Sequence, residues 1–247
     1  MVSNLEDFED AVPYALVITV DDYSGLRAQG YTGFSDIPET NEDKKVHDNN
    51  LEYLDFEPEN TIKLHNPTRE QVHTAVTDLR DTFHQNAKDG TQCLLYAYYG
   101  GAGASIGAPG QVIVLNGDDK HVAYPLETRL QTISSMNNLT ACIMVFDCSR
   151  VPLSPGLTLG EKLQTEKEEW EKFEGELTTL KRNFIAYRSA GPSMQMSLAS
   201  PVAHAFFQHI KDKCLAKGAC RTADLMEFSK YTEVSSSMGV NVCFSYE

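Results

Sequence analysis

The chain has 247 residues, of which 41 % are hydrophobic and 23 % are charged, and this composition is typical of a globular domain rather than of a disordered or fibrous protein. The 35 acidic and 21 basic residues give a net charge of −14. Such a surface repels phosphate backbones, so no nucleic-acid partner is expected. No run of about 18 apolar residues occurs, so no membrane span is predicted.

The six cysteines indicate the redox environment of the chain. No C-x-x-C pair is present, so the sequence predicts neither a zinc site nor a cofactor. The first ten residues are acidic and do not resemble a targeting signal. We therefore expect reduced thiols in a soluble, intracellular protein, cytoplasmic by default, with an organelle or a cytoskeletal assembly as alternatives.

The first half of the chain alternates strand and helix patterns. The predicted elements are a strand at Tyr14–Val20, a helix over about 41–54, a strand at Thr61–Leu64, a helix opened by a capping box of Thr68 and Gln71, a strand at Cys93–Tyr99 that runs into Gly100–Ala104, and a hairpin arm at Gln111–Leu115. After Thr68, one apolar stripe is typical of a helix that covers a core.

The second half continues the alternation. The predicted elements are a helix over about 125–136, a strand at Ala141–Asp147, a loop over 150–160, a charged helix over 161–181, a strand at Phe184–Tyr187, a helix over 200–214 and a terminal strand at Asn241–Tyr246. This alternation predicts an α/β fold with a mostly parallel sheet and helices on both faces. We interpret residues 1–11 as a tail and residues 12–247 as one domain, with a helical insertion at about 160–182.

Two strand ends are candidates for a functional site, because ligands of such sheets bind at the carboxyl ends of the strands. Gly100–Ala104 follows one strand and Asp147–Arg150 ends another. The glycine run lacks the Lys-Ser/Thr of a P-loop and the spacing of G-x-G-x-x-G, so phosphate binding is not favoured.

Four segments, in this order along the chain, resemble motifs of the caspase-like cysteine peptidases, which comprise caspases, metacaspases and paracaspases. They are Leu94–Gly103, similar to the strand ending in Tyr-Ser-Gly-His-Gly, Ile143–Arg150, similar to the strand ending in Asp-Ala-Cys-Arg, Asn183–Ala190, similar to F-I-A-Y-A-T-A, and Ser200-Pro201, similar to Ser-Pro-Phe. The resemblance covers about residues 12–247. It implies a three-layer αβα sandwich whose six-stranded, mostly parallel sheet has an antiparallel C-terminal edge strand.

The resemblance also implies that the catalytic dyad is degenerate. The family's chemistry needs a cysteine thiolate beside a histidine. Ala102 stands at the histidine position and Ser149 at the cysteine position. We therefore expect a pseudoenzyme that serves as a structural or regulatory subunit of a larger protein assembly. The calcium dependence of metacaspases needs more acidic residues than Asp118-Asp119 supplies, so no metal is predicted.

Two other interpretations remain open at this point. In the first, the chain is an active cysteine or serine endopeptidase in which Cys148 or Ser149 is the nucleophile and the base comes from another part of the chain. Cys148 lies one residue before the family's cysteine position, and such a shift turns its side chain to the opposite face of the strand. In the second, the chain comes from an active enzyme in which the histidine and the cysteine were deliberately replaced by Ala102 and Ser149.

Arg27 and Arg188 are candidate remnants of a substrate pocket. A guanidinium group can hold a carboxylate through two hydrogen bonds. The alternative is that both are ordinary exposed arginines on loops.

The insertion and the terminal strand are candidate partner surfaces. The insertion carries an apolar stripe, formed by Leu163, Trp170, Phe173, Leu177 and Leu180. Either the stripe packs on its own domain, or Trp170, Phe173 and Leu177 dock on another protein subunit. The apolar run Val240–Phe244 either pairs with another chain or closes the sheet as an ordinary edge strand.

Overall fold

The computed structural model describes residues 11–38, 40–105, 111–117, 121–148, 151–152, 162–177, 181–189, 202–228, 233–237 and 243–244. The strands are β1 (Val12–Thr19), β2 (Thr61–His65), β3 (Cys93–Gly101), β4 (Gly103–Ser105), β5 (Gln111–Val114), β6 (Ala123–Tyr124), β7 (Leu139–Cys148), β8 (Val151–Pro152), β9 (Phe184–Arg188), β10 (Cys220–Arg221), β11 (Glu233–Ser236) and β12 (Cys243–Phe244). The α-helices are α1 (Ser24–Ala28), α2 (Thr40–Asn50), α3 (Arg69–Lys88), α4 (Leu126–Ile133), α5 (Lys162–Glu176), α6 (Val202–Lys217) and α7 (Thr222–Met226). Within these ranges, no helix is long and apolar enough to cross a membrane.

Six strands form the central sheet, in the order β11-β9-β7-β3-β1-β2. All neighbouring pairs are parallel except β11 and β9, which are antiparallel. The predicted α/β fold, with a mostly parallel sheet and one antiparallel edge strand, is confirmed. Short apolar strands separated by helices favour this arrangement because each crossover helix covers one face of the sheet.

The edge strand is not the terminal run that the sequence suggests. The antiparallel edge is β11, whereas β12 pairs with β10 in a separate two-stranded sheet. Phe244 is buried in the same core cluster as Cys214 and Cys220, and the Cys214 thiol donates to the Phe244 carbonyl at 3.2 Å. Packing on α6 therefore holds this part of the C-terminal run away from the central sheet.

Side-chain alternation along the strands separates two hydrophobic cores. Leu95 and Tyr99 face a core that includes apolar residues of α3, α4 and α5. Tyr96 and Tyr98 face the second core, which includes residues of α6 and α7 and is partly covered by α2. The three-layer architecture follows, because neighbouring residues of a strand point to opposite faces.

A four-stranded sheet, β6-β5-β4-β8, lies beyond the carboxyl end of β3. β5 pairs antiparallel with β4 and β6, which confirms the predicted hairpin arm. The prediction of a loop over 150–160 is wrong at its start, because Val151–Pro152 pairs in parallel with β4. Residues 153–161 lie outside the described residues.

The insertion forms α5, and its central aromatic residues lie inside the domain. Trp170 is 2 % exposed, Phe173 is buried, and Leu177 packs against the same core. Docking of Trp170, Phe173 and Leu177 on another protein subunit stays a prediction, whereas this arrangement of the helix is the other alternative, in which the stripe packs on its own domain. The reason is that α3 and α4 supply the guanidinium groups of Arg80 and Arg129, which contact the indole ring. Leu180, which completes the predicted stripe, lies outside the described residues.

The capping box predicted at the start of α3 is present. The Thr68 hydroxyl accepts from the Gln71 amide, and the Gln71 side chain accepts from the Thr68 amide at 2.8 Å.

Replacement Thr68→Ala removes one acceptor, so we expect the free energy of unfolding to fall by about 1 kcal/mol in urea titrations. Thr68→Ser keeps the hydroxyl and should lose less; an equal loss in both variants would show that the methyl group, not the cap, matters.

Candidate active site

The register of the central sheet brings together the ends of the two strands that precede the positions singled out by the family resemblance. β3 and β7 are neighbours, and Gly101 lies opposite Cys148. Ala102 therefore follows β3 at the same edge of the sheet where β7 ends. Ser149 lies outside the described residues, so the site is described from Ala102, Cys148 and the side chains around them.

Both main-chain polar groups of Ala102 are held by tyrosine hydroxyl groups. The Ala102 amide donates to Tyr23 Oη at 2.6 Å. The Ala102 carbonyl accepts from Tyr99 Oη at 2.7 Å and from the Val114 amide at 2.9 Å. Ala102 itself is 9 % exposed. Its backbone is thus fixed between the end of β3 and the small sheet.

The two tyrosines leave no space for a larger residue before Ala102. A Cβ atom on Gly101 would lie 2.7 Å from Tyr99 Oη and 2.8 Å from Tyr23 Oη, closer than real Cβ contacts allow. Burial raises the pKa of both hydroxyls above the ordinary value for tyrosine. They therefore stay protonated at neutral pH and act as hydrogen-bonding groups rather than as bases.

The side chain of Cys148 lies in the core on the Tyr99 face of the sheet. It is 0 % exposed. The Cys148 amide donates to Ser189 Oγ at 3.0 Å, which ties the end of β7 to the residue after β9. A thiol in this position is shielded from solvent, and the alternation along β7 turns Asp147 to the opposite face.

His47 is a buried imidazole that lies on the opposite face of the sheet from Cys148. His47 Nδ1 donates to the Asp43 carbonyl at 2.6 Å, and His47 Nε2 accepts from Tyr96 Oη at 2.9 Å. A carbonyl can only accept, so His47 Nδ1 carries a proton. Burial lowers the pKa of His47 to about 4, which keeps the ring uncharged.

Three other histidines contact groups other than Cys148. His65 contacts Thr19 Oγ1 at 3.1 Å, and His209 contacts the Asp224 carbonyl at 2.8 Å. His73 lies 3.5 Å from Tyr124 Oη. Each ring thus has a local structural partner.

Asp147 belongs to the candidate segment Asp147–Arg150, although the sequence predicts no separate role for it. It is 3 % exposed, and its Oδ1 has no hydrogen-bond partner in the described structure. Burial, followed by the negative charge of Asp43, raises its pKa to about 7, against a hydrogen bond with Ser189 that lowers it. An aspartate near the end of the most hydrophobic strand was the available signal, because a buried carboxyl there must lose its charge or find a partner.

Replacement Asp147→Asn tests this environment. The folded-state pKa lies above the unfolded value, so the carboxyl favours folding most below about pH 4, and this contribution is lost as the pH rises to about 7. We measure the free energy of unfolding of Asp147→Asn and of the parent at pH 4 and at pH 8. The stability of the variant relative to the parent should increase by about 1–3 kcal/mol from pH 4 to pH 8. A difference between the two proteins that does not change from pH 4 to pH 8 would contradict the raised pKa.

Arg188, a candidate pocket remnant, forms a buried ion pair. Its Nε donates to Glu127 Oε2 at 3.2 Å, its Nη2 donates to Glu127 Oε1, and its Nη1 donates to Ser235 Oγ at 2.9 Å. The alternative of an exposed arginine on a loop is wrong for this residue, because it ends β9 and is 6 % exposed. The pair joins α4 to β9.

Arg27, the other candidate, is partly exposed near the start of the chain. It donates to both carboxylate oxygens of Asp36, at 2.7 and 2.8 Å. The structure therefore does not bring Arg27 and Arg188 to one carboxylate. Each guanidinium group instead holds an acidic residue of this chain.

Removal of one partner of the buried pair should be costly. We expect Glu127→Leu to lower the free energy of unfolding by about 3–5 kcal/mol, because the Arg188 charge stays buried without its main partner. The double variant Glu127→Leu with Arg188→Met should lose clearly less than the sum of the two single variants, as measured in a double-mutant cycle. Additive losses would contradict a direct coupling.

Comparisons with known proteins complete the description of the site. Across the described residues, no group of three or more His, Cys, Asp or Glu side chains is arranged to hold a metal ion. A search of curated proteins finds no match. The family model described as a caspase domain matches residues 13–238, which include both strand ends. Because this match spans most of the chain and the sheet has the predicted topology, the chain belongs to the caspase domain family.

Proposed function

We propose that this chain is a catalytically inactive caspase-like domain that acts as a structural or regulatory subunit of a larger protein assembly. The observation that carries the proposal is Ala102. A methyl group can neither accept nor donate a proton, so the position that supplies the family's base supplies none here.

The surroundings of Ala102 support this proposal. Its main chain is held by Tyr23 and Tyr99, whose raised pKa values keep them protonated. Cys148 is buried, and His47 lies on the other face of the sheet. Loss of one member of a nucleophile–base pair removes most of the rate, typically several powers of ten.

The arginines support the loss of substrate binding as well. Arg188 and Arg27 both hold carboxylates of their own chain. A substrate carboxylate would have to compete with Glu127 for Arg188, inside a site from which water is largely excluded.

The state of the cysteines supports an intracellular location. The cysteines whose side chains the structure describes are free and buried, and they are Cys93, Cys142, Cys148, Cys214 and Cys220. Buried thiols without disulfides are typical of proteins in reducing compartments.

The second candidate function is peptidase activity through Cys148 or Ser149. It is favoured by one observation, namely that Cys148 ends β7 and is followed in the sequence by Ser149, a second residue with a nucleophilic side chain, in a family that is normally peptidase.

Activity probes discriminate between the two functions. We expect neither a thiol-directed nor a serine-directed electrophilic probe to label Cys148 or Ser149 selectively in the folded chain, and no cleavage of a peptide library. Labelling that disappears on denaturation, together with cleavage lost in Cys148→Ala or Ser149→Ala, would overturn the proposal. A variant with Ala102→His and Ser149→Cys is the matched control, because it restores both residue types of the dyad.

A further inference from the structure

Three arginines line the part of the domain that α5 covers. Arg69 and Arg80 project from α3, and Arg129 projects from α4. The side chains of Arg69 and Arg80 are 12 % and 13 % exposed, and Arg129 is buried. We call this surface the arginine groove. It collects three cations on a chain whose net charge is −14, and Arg80 Nε also donates to Asp81 Oδ1 at 2.8 Å.

α5 fills the arginine groove with two carboxylates. Arg69 Nη1 and Nη2 donate to Glu166 Oε1 and Oε2 at 2.5 and 2.6 Å, a two-pronged contact. One turn further along α5, Glu169 Oε1 accepts from Arg80 Nη1 at 2.6 Å. Both pairs are shielded from solvent on the arginine side, where ion pairs are stronger than on an open surface.

α5 also places two aromatic rings against the same guanidinium groups. The guanidinium carbon of Arg129 lies 4.8 Å from the Trp170 ring centroid, and that of Arg80 lies 5.4 Å from it. Arg80 also lies 5.5 Å from the centroid of Phe173, which packs edge-on against Trp170. The groove thus recognises a helix face that carries acidic and aromatic residues in the pattern Glu-x-x-Glu-Trp-x-x-Phe.

The fit between α5 and the arginine groove is incomplete. Trp170 Nε1 and Arg129 Nε are buried without a hydrogen-bond acceptor in the described structure. A buried donor without an acceptor weakens the contact that buries it. The outward face of α5 adds little to the stability of the helix, since the Lys167–Glu171 pair spans 3.5 Å and both side chains are more than half exposed.

We propose that the arginine groove is a docking site for acidic aromatic helices, which α5 occupies as an exchangeable ligand from the same chain. The partner is a helix of another protein with the pattern Glu-x-x-Glu-Trp-x-x-Phe and an acceptor that satisfies Arg129. The inference rests on the proposed role as a subunit of an assembly, and it names the kind of partner. The charge of the groove argues for this occupant, because the rest of the acidic surface repels an acidic helix.

The first experiment uses the unmodified full chain. Native-state hydrogen exchange should show that amides of α5 open at least about 100-fold more often than those of β7. Acrylamide quenching of Trp170, the only tryptophan of the chain, should rise between about 20 mM and about 500 mM NaCl while the far-ultraviolet circular dichroism stays unchanged. If α5 exchanges only together with β7, the helix is a permanent part of the core and the proposal is wrong.

The second experiment offers the ligand separately. A fluorescent peptide of residues 162–177 is titrated into the full chain and into a full-chain variant with Glu166→Gln and Trp170→Ala. We expect binding at least about tenfold tighter to the variant, because its own helix competes less. Additional Arg69→Gln and Arg129→Gln substitutions should remove this binding, and a peptide carrying Trp170→Ala is the matched control.

The outcomes are distinct from those of the activity probes. Equal or undetectable binding to a variant that circular dichroism shows to be folded would overturn the docking site. If the variant does not fold, hydrogen exchange of the unmodified chain decides. A dimer of the unmodified chain that the peptide dissociates would overturn the assignment to another protein, because the second copy would then be the occupant. None of these failures would restore a catalytic base at Ala102.

Discussion

The double-sided burial of β3 and β7 is the constraint from which the site at their ends follows. Every residue from Cys93 to Gly101 is buried, and nearly all of β7 is as well. A polar group near such strands must be satisfied within the protein, since desolvation without a partner is costly. Tyr23 and Tyr99 meet this requirement for the main chain of Ala102, and His47 meets it for Tyr96.

The same constraint explains how charge is organised. The chain is strongly acidic, yet two of its largely shielded arginines each hold a glutamate that is distant in sequence. Arg69 pairs with Glu166, 97 residues away, and Arg188 pairs with Glu127, 61 residues away. In the folded chain these pairs join α5 to α3 and β9 to α4. Because both partners are shielded, their geometry is specific in a way that exposed pairs such as Lys45 with Glu42 are not.

Fold and chemistry are separable at the strand ends. The register that places Gly101 opposite Cys148 brings the ends of β3 and β7 together whatever residues follow them. Reactivity then depends on the side chains. In this chain the residue after β3 is Ala102, whose side chain is a methyl group. The end of β7 carries the buried Cys148 thiol and, on the opposite face of the sheet, the Asp147 carboxyl. The framework is preserved while its interior is used for packing and hydrogen bonding.

The sequence by itself determined the alternation of strands and helices, the capping box at Thr68 and the presence of Ala102 at a strand end, because these depend on local spacing and on residue identity. Only the tertiary structure decided that the stripe on α5 faces its own domain, that Arg188 is buried against Glu127, that Glu233–Ser236 rather than the terminal run forms the sheet edge, and that Asp147 and His47 share one face. Periodicity shows which side chains lie on a common face of an element. What that face contacts, and which distant charge it meets, depends on how the elements pack, and this is not encoded in any local pattern.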